Sequence, residues 1–124
     1  MWVAHGQLEE AAAEFEYMRG RYDAALYPPD MLVRMGQVLE RAGRYDTAIL
    51  ACRDVLAAHP SSPQAPAAAL QAGLVARYRK QDLDLARRYL ELIPRRWPRA
   101  AEAARAEREL DDLARSAGRP QSTV

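Results

Sequence analysis

The side chains that most often carry catalysis or bind metals are few in this sequence and stand far apart. The single cysteine, Cys52, cannot form an internal disulfide bond, and one thiolate alone cannot build a metal site. Neither His5 nor His59 has a carboxylate or a cysteine at the spacing of metal ligands. The four serines lie in links and near the C-terminus, and no pair of nucleophile and base emerges. We therefore expect no catalytic residues, no metal site, no cofactor and no enzymatic activity.

Cys52 and His59 each have a structural explanation. Cys52 stands four residues after Ala48, so both side chains share one face of a predicted helix, and we expect a buried thiol there. His59 directly precedes Pro60, which ends the same helix. A histidine at a helix C-terminus suits the helix dipole.

Two short segments place aromatic residues among cations, which is a pattern found in nucleic-acid-binding proteins. They are residues 77–80 and residues 95–99. Acidic residues are interleaved nearby, and the whole chain carries 18 basic and 17 acidic side chains for a net charge of +1. No overall field attracts nucleic acid or an anionic membrane. We expect no nucleic-acid contact.

The composition favours helices and gives little support to strands. The chain has 124 residues, 49% hydrophobic and 28% charged, which is in the range of one ordinary domain. Alanine makes up about a fifth of the residues and aromatics only 7%. No apolar run approaches the ~20 residues needed to span a bilayer. We therefore predict an all-α protein, with no direct membrane insertion of this segment.

The motif Gly-Arg-Tyr-Asp occurs twice, at residues 20–23 and 43–46. In the second copy Gly43 interrupts a helical spacing of apolar residues, and a second helical pattern follows, which predicts a helical hairpin. The first copy is followed by Pro28 and Pro29, and prolines inside a helix cost roughly 3 kcal/mol each. The first copy therefore does not begin an equivalent helix.

Residues 6–11 carry the same order of glycine, apolar residue, acid and alanine as the second copy of the motif. Aligning the alanines matches Ala11 with Ala48 and Ala86, which are 37 and 38 residues apart. Pro60 and Pro98 each follow their alanine by twelve residues. This periodicity predicts a tandem array of hairpins.

The apolar spacing predicts six helices followed by a disordered tail at residues 118–124. The helices are expected at Gln7–Tyr22, Pro29–Ala42, Tyr45–Ala58, Gln64–Arg79, Asp82–Ile93 and Pro98–Ala117. The last of them has an apolar stripe and a densely charged opposite face. Such a one-sided helix is typical of the terminal cap of a repeat array.

The spacing of the apolar residues, glycines, alanines and prolines resembles the tetratricopeptide repeat. The pattern of that family runs from a large apolar residue through Leu-Gly, an aromatic, Ala and Phe to Pro. The two best copies are Leu32, Met35, Gly36, Leu39, Ala48, Cys52, Pro60 and Ala69, Ala72, Gly73, Ala76, Ala86, Leu90, Pro98. The sequence departs from the family in replacing several aromatics and in a period longer than about 34 residues. Gly73 also lies one residue farther from its alanine than Gly36 does.

The resemblance implies a right-handed superhelix of antiparallel helix hairpins. It would comprise about 2.5 repeats over residues 1–117, with a partial repeat at 1–28, repeats at 29–65 and 66–98, and a capping helix at 98–117. The proline-rich link at residues 59–66 is also similar to links in the bacterial cell-envelope group of this family, which includes coordinators of outer-membrane constriction. Cytoplasmic members have such links too, so the compartment stays open between cytoplasm and bacterial periplasm.

The resemblance further implies a non-catalytic scaffold that binds a protein or peptide in a concave groove lined by the first helix of each hairpin. By register, this groove is expected to carry Asp30, Val33, Arg34, Gln37, Arg41, Leu70, Gln71, Leu74, Arg77 and Tyr78. Members that hold the C-terminal carboxylate of a chaperone use paired Lys and Asn side chains. Val33 and Gln37 stand there instead, so that ligand is not expected.

The first predicted helix lacks a hairpin partner, which leaves its apolar side uncovered. One explanation is that the chain is a fragment of a longer protein, for example an accessory or oligomerisation domain of an enzyme or membrane protein. The other is that two copies pair through this face as a homodimer, and the two explanations are compatible. Trp2, Val3 and Phe15 are the expected contacts of such a self-association face.

Overall fold

The computed structural model describes the backbone of residues 5–118 and the side chains of residues 7–116. Within that range the regular structure is entirely helical, which confirms the predicted all-α class. The helices are α1 (His5–Arg21), a short 3₁₀ helix (Ala24–Leu26), α2 (Pro29–Arg41), α3 (Tyr45–Ala58), α4 (Ala65–Tyr78), α5 (Leu83–Arg96) and α6 (Ala101–Gly118).

The predicted helix ends are wrong around the second proline-containing link. α5 continues through Pro94 to Arg96 instead of ending at Ile93, because the backbone N–H of Trp97 still donates to the Ile93 carbonyl at 2.7 Å. A proline in the last turn removes only its own hydrogen bond and does not stop those that follow. α6 begins at Ala101 and not at Pro98, because the intervening residues form a turn closed by a bond from the Ala100 N–H to the Trp97 carbonyl.

The helices stack in chain order. Each of α2 to α6 packs mainly against its neighbours in the sequence, while α2, α4 and α6 also contact one another in series. This arrangement places the first helices of successive hairpins side by side. The surface formed by α2, α4 and the start of α6, hereafter the groove, is a consequence of that stacking.

The alanines that mark the repeat lie where helices cross. Ala48 and Ala86 are fully buried, as the alignment requires. Gly73 shows how tight the crossings are, since a Cβ built there would lie 2.9 Å from Cγ and Cδ2 of Leu90 on α5. Small residues are therefore needed at these positions for the backbones to approach.

In α1 the aligned alanine is off by one residue. Ala12 is fully buried, whereas Ala11 is only partly covered. Ala12 belongs to a stripe with Glu9, Glu16 and Arg19, spaced three and four residues apart on one helix face. These charged side chains pair with Arg44, just before α3, and with Asp54 on α3, so the face of α1 that buries Ala12 also carries its ion pairs.

The one-residue offset at Gly73 lies in a turn. Three residues separate α2 from α3, whereas four separate α4 from α5. In the shorter turn Gly43 adopts a φ of 81°, and in the longer one Gln81 adopts a φ of 57°. A positive φ suits glycine and strains glutamine. The second hairpin thus accommodates its extra residue in the connection, and both helices keep their register.

Candidate functional site

A cavity of about 320 Å³ opens in the groove. Its volume is at the lower end of the range of about 300–1,000 Å³ found for small-ligand sites. The lining combines apolar side chains with two amides and two carboxylates. These residues are Val33, Gln37 and Glu40 from α2, Ala67, Leu70, Gln71 and Leu74 from α4, and Glu102 from α6.

The structure brings five of the ten residues predicted for the groove to the cavity. Gln37, Gln71 and Leu74 all line the cavity, because residues three and four apart on a helix share one face. Arg34 and Arg41 are exposed on α2 and are not among the lining residues. Val33 and Leu70, which the same register predicted, also line it.

Of the remaining three predicted groove residues, Asp30 is exposed and does not line the cavity, whereas Arg77 and Tyr78 contact α6. Nη1 of Arg77 donates to Oε1 of Glu109 at 2.6 Å, and the hydroxyl of Tyr78 donates to the same oxygen at 2.9 Å. Nε of Arg105, one turn earlier on α6, donates to Oε2 of Glu109 at 3.1 Å. Arg77 therefore joins α4 to α6, and only 15% of its side chain is exposed.

Glu109 is the only acidic residue in the buried polar set of the described chain, with 8% of its side chain exposed. Burial is the largest single influence and raises its pKa. The hydrogen bonds from Tyr78, Arg77 and Arg105, together with the charge of Arg77, outweigh burial and hold the pKa below its ordinary value. Glu109 is therefore ionised and fixes the position of α6.

Two acidic residues of the cavity were missed by sequence reasoning. Glu40 lies seven residues after Val33 on the same face of α2, a spacing that could have identified it. Glu102 stands in the first turn of α6, a helix that we treated as a cap and not as part of the groove. Glu40 reaches the cavity from α2 and Glu102 reaches it from α6, because both helices lie beside α4.

The two carboxylates differ in their surroundings. Oε2 of Glu40 lies 3.4 Å from Nε of Arg79, whose side chain is 54% exposed. The side chain of Glu102 makes no hydrogen bond or ion pair among the described residues. No cationic residue lines the cavity itself. The cavity is therefore an acidic environment with an apolar wall.

The Gln71 amide has an unsatisfied donor. Its Nε2 atom is buried and has no hydrogen-bond partner in the described part of the chain. The Nε2 atom lies against α2, since a Cβ built on Gly36 would be 3.3 Å from it. A buried donor without a partner costs about 1–3 kcal/mol. An acceptor that enters the cavity would relieve this cost once the amide rotates toward it.

The residues considered for chemistry occupy structural positions. Cys52 is completely buried, as expected, and burial first, then the nearby charges of Glu40 and Asp54, raise the pKa of its thiol to about 12. Nε2 of His59 donates to the carbonyl of Tyr27 at 2.8 Å. The side chain of His5 is not described. Among residues 7–116 no three or more His, Cys, Asp or Glu side chains are grouped to hold a metal ion.

Nothing in the described range offers a membrane span. None of the helices in residues 5–118 is both long enough and apolar enough to cross a bilayer.

The sequence itself matches a known family. The family profile of the tetratricopeptide repeat matches the chain twice, over residues 3–63 and residues 33–101. The two matches overlap and together cover α1 to α5 and the first residue of α6. A comparison with curated proteins finds no match. On the strength of the profile, the chain belongs to the tetratricopeptide repeat family.

Proposed function

We propose that this chain is a protein–protein interaction module that binds a peptide or protein segment in the groove and carries out no catalysis. Repeats of this family generally mediate protein–protein interactions and are typically non-catalytic scaffolds. The observation that carries the proposal is the convergence of Gln37, Gln71 and Leu74 on one cavity, whose lining has side chains from the three alternate helices α2, α4 and α6.

The lining suits an extended polypeptide in two ways. Leu70, Leu74 and Val33 offer an apolar surface on which a partner side chain can bury methylene groups. The amides of Gln37 and Gln71 carry both donors and acceptors, which is the hydrogen-bonding character of a peptide backbone. A partner carbonyl would satisfy the orphan Nε2 of Gln71.

The remaining predicted residues have different proposed roles. Arg34, Arg41 and Tyr78 are exposed, and we assign them to the polar rim around the cavity. Arg77 acts indirectly in this proposal, since it holds α6 through Glu109 and so keeps the third wall in place. Reversing the charge of Arg77 would disturb that packing and would not report on binding alone.

Selection of random linear peptides displayed on phage against the full 124-residue chain tests the proposal. Selected peptides would be synthesised, and their dissociation constants measured by fluorescence anisotropy. We expect the double variant Gln37→Ala, Leu74→Ala to bind at least tenfold more weakly, since about 1.4 kcal/mol corresponds to tenfold.

The matched control changes two exposed residues outside the cavity lining, in Arg53→Ala, Glu91→Ala. Its affinity should equal that of the unmodified chain, and circular dichroism should show equal helicity for all three proteins. If the control variant loses affinity as much as the cavity variant, the binding surface lies elsewhere. A failure to enrich any peptide would also count against the groove.

A second candidate function is self-association, as part of an accessory or oligomerisation domain of a larger enzyme or membrane protein. The observation that favours it is the mainly polar attachment of α1, which leaves Phe15 and Met18 only partly covered and Tyr17 exposed. Of the predicted contacts, Phe15 lies on α1, whereas Trp2 and Val3 lie outside the described residues.

A further inference from the structure

We propose that the cavity in the groove holds a basic side chain of the bound segment, arginine in preference to lysine, with its charged end at the carboxylates of Glu40 and Glu102. This inference rests on the proposed function, because it names the chemistry of the residue that the groove selects. Charge complementarity carries it. The lining contains two carboxylates and no cation.

The carboxylates are available to a ligand. Glu102 makes no ion pair within the described part of the chain. The contact of Glu40 with Arg79 is long, at 3.4 Å, and Arg79 is mostly exposed, so water screens it strongly. Arg77 does not line the cavity, and its charge is already paired with Glu109. A cation that enters the cavity therefore meets one unpaired carboxylate, that of Glu102, and one weakly paired carboxylate, that of Glu40.

The apolar wall matches the stem of a long basic side chain. Arginine and lysine bury their methylene groups against apolar surface while their charged ends stay at polar groups. Leu70, Leu74 and Val33 provide that surface beside the carboxylates. An acidic side chain would meet like charge there. A purely apolar one would strip water from the carboxylates and leave them unpaired.

The number of acceptors favours arginine. Besides the two carboxylates, the side chains of Gln37 and Gln71 belong to the same lining, and each amide has an oxygen that can accept a hydrogen bond. A guanidinium group has five N–H donors in a fixed plane and can serve several acceptors at once, whereas an ammonium group has three. We therefore expect the cavity to bind arginine several times more tightly than lysine.

Four small probes test this assignment on the full chain labelled with ¹⁵N. They are the N-acetyl, N′-methylamide derivatives of arginine, lysine, norleucine and glutamate, titrated in ¹H–¹⁵N correlation spectra. We expect the arginine derivative to shift the side-chain amide signals of Gln37 and Gln71 saturably. The lysine derivative should bind about threefold more weakly, and the other two should leave these signals unchanged.

Charge-neutralising variants locate the contact. Glu102→Gln should weaken binding of the arginine derivative about threefold to fivefold, the upper part of the range for a partly exposed ion pair. Glu107→Gln is the matched control, because it removes one charge from an exposed position of the same helix that does not line the cavity. It should leave the dissociation constant unchanged.

The outcomes separate this inference from the proposed function. If the norleucine or glutamate derivative shifts the same two amides as strongly as the arginine derivative, the groove binds ligands but does not select a basic side chain. That result overturns this inference and leaves the proposed function standing. Equal effects of Glu102→Gln and Glu107→Gln would overturn it as well. If no probe shifts either amide, the basic site is overturned, while the peptide selection independently decides whether the groove binds at all.

Discussion

At the scale of single residues, Glu109 shows how one buried carboxylate can determine the position of a whole helix. Three donors from two helices converge on it, and two of them come from α4. Its partner Arg77 is also mostly buried. Removing one member of such a pair leaves the other charge buried without compensation, which costs more than the pair itself contributes.

We predict that Glu109→Gln lowers the free energy of unfolding by about 2–3 kcal/mol at neutral pH, somewhat below the ~3–5 kcal/mol of a fully buried pair because Arg77 keeps 15% exposure. The folded pKa of Glu109 is depressed, so its ionisation stabilises the fold fully above the ordinary value of about 4.3. That contribution is lost as pH falls through the folded pKa. Urea denaturation between about pH 7 and pH 3 measures both effects.

The unmodified chain should therefore lose more stability on acidification than Glu109→Gln does. Glu107→Gln serves as the control, because Glu107 is exposed and makes no ion pair among the described residues. Its stability profile should follow that of the unmodified chain. Parallel acid profiles for the unmodified chain and Glu109→Gln would contradict the role assigned to Glu109.

Gly73 permits a second prediction at this scale. We expect Gly73→Ala to lower the free energy of unfolding by about 1–2 kcal/mol, because the new methyl group would lie 2.9 Å from the fully buried Leu90. The gain of up to about 1 kcal/mol in helix propensity offsets only part of that cost. Thermal or urea unfolding followed by circular dichroism measures the difference.

Gly20 provides the matched comparison, since it lies inside α1 and a Cβ there would meet nothing within 4 Å. Gly20→Ala should leave stability unchanged or raise it. If Gly73→Ala and Gly20→Ala changed the free energy of unfolding in the same direction, the explanation from close helix packing would be wrong.

Sequence reasoning located some cavity residues and missed others for a physical reason. Gln37, Gln71 and Leu74 follow from helical register alone, which is a local property. Glu102 required knowledge that α6 packs beside α4, and the Arg77 contact with Glu109 joins residues 32 positions apart. Such pairings depend on how helices stack and leave no local signal.

At the scale of elements, α1 differs from the other helices in how it is attached. Arg44, at the start of α3, contacts Glu9 and Glu16 of α1, and Arg19 of α1 contacts Asp54 of α3. Among buried residues α1 contributes Ala12 to the hydrophobic core, with Phe15 packed partly against it. Ion pairs that are partly exposed contribute at most about 1 kcal/mol each, so α1 is the least firmly held helix.

We predict that Arg44→Ala increases the local opening of α1 without affecting the second hairpin. Loss of two partly exposed ion pairs should accelerate amide hydrogen exchange in α1 about fivefold, which corresponds to about 1 kcal/mol. Exchange in α4 and α5 should stay unchanged. Arg53→Ala is the control, because Arg53 lies on the same helix and is exposed. Uniform acceleration across all helices would contradict a local attachment.

The element boundaries illustrate what repeat periodicity can and cannot predict. Four of the six helices, α1 to α4, both begin and end within two residues of the expected positions, because glycines and prolines mark the turns. The predicted end of α5 at Ile93 was wrong, because Pro94 lies in the last turn and does not stop the helix there. The alignment on Ala11 was wrong because the buried face of α1 carries Ala12 together with the ion-pairing side chains, so the apolar pattern alone does not identify it.

At the scale of the whole molecule, the uncovered side of α1 predicts association between copies. We expect the sedimentation coefficient of the full chain to rise with concentration in the micromolar range and above. Trp2→Glu should abolish this rise, and Phe15→Glu should do the same at the cost of some stability, since Phe15 packs partly against the core. Glu10→Gln, at an exposed position of the same helix, should not. A concentration-independent monomer would end this candidate function.

The helical class, the repeated hairpins and the family were all accessible from the sequence, because each depends on periodic apolar spacing. The role of α6 was not. It carries Glu102 at the cavity and, seven residues later, Glu109 at the contact with Arg77. In the proposed complex, binding of the partner and attachment of α6 to the rest of the fold therefore depend on each other. A bound segment would protect the C-terminal helix from proteolysis, and any change that detaches that helix would weaken the partner's affinity by the same factor.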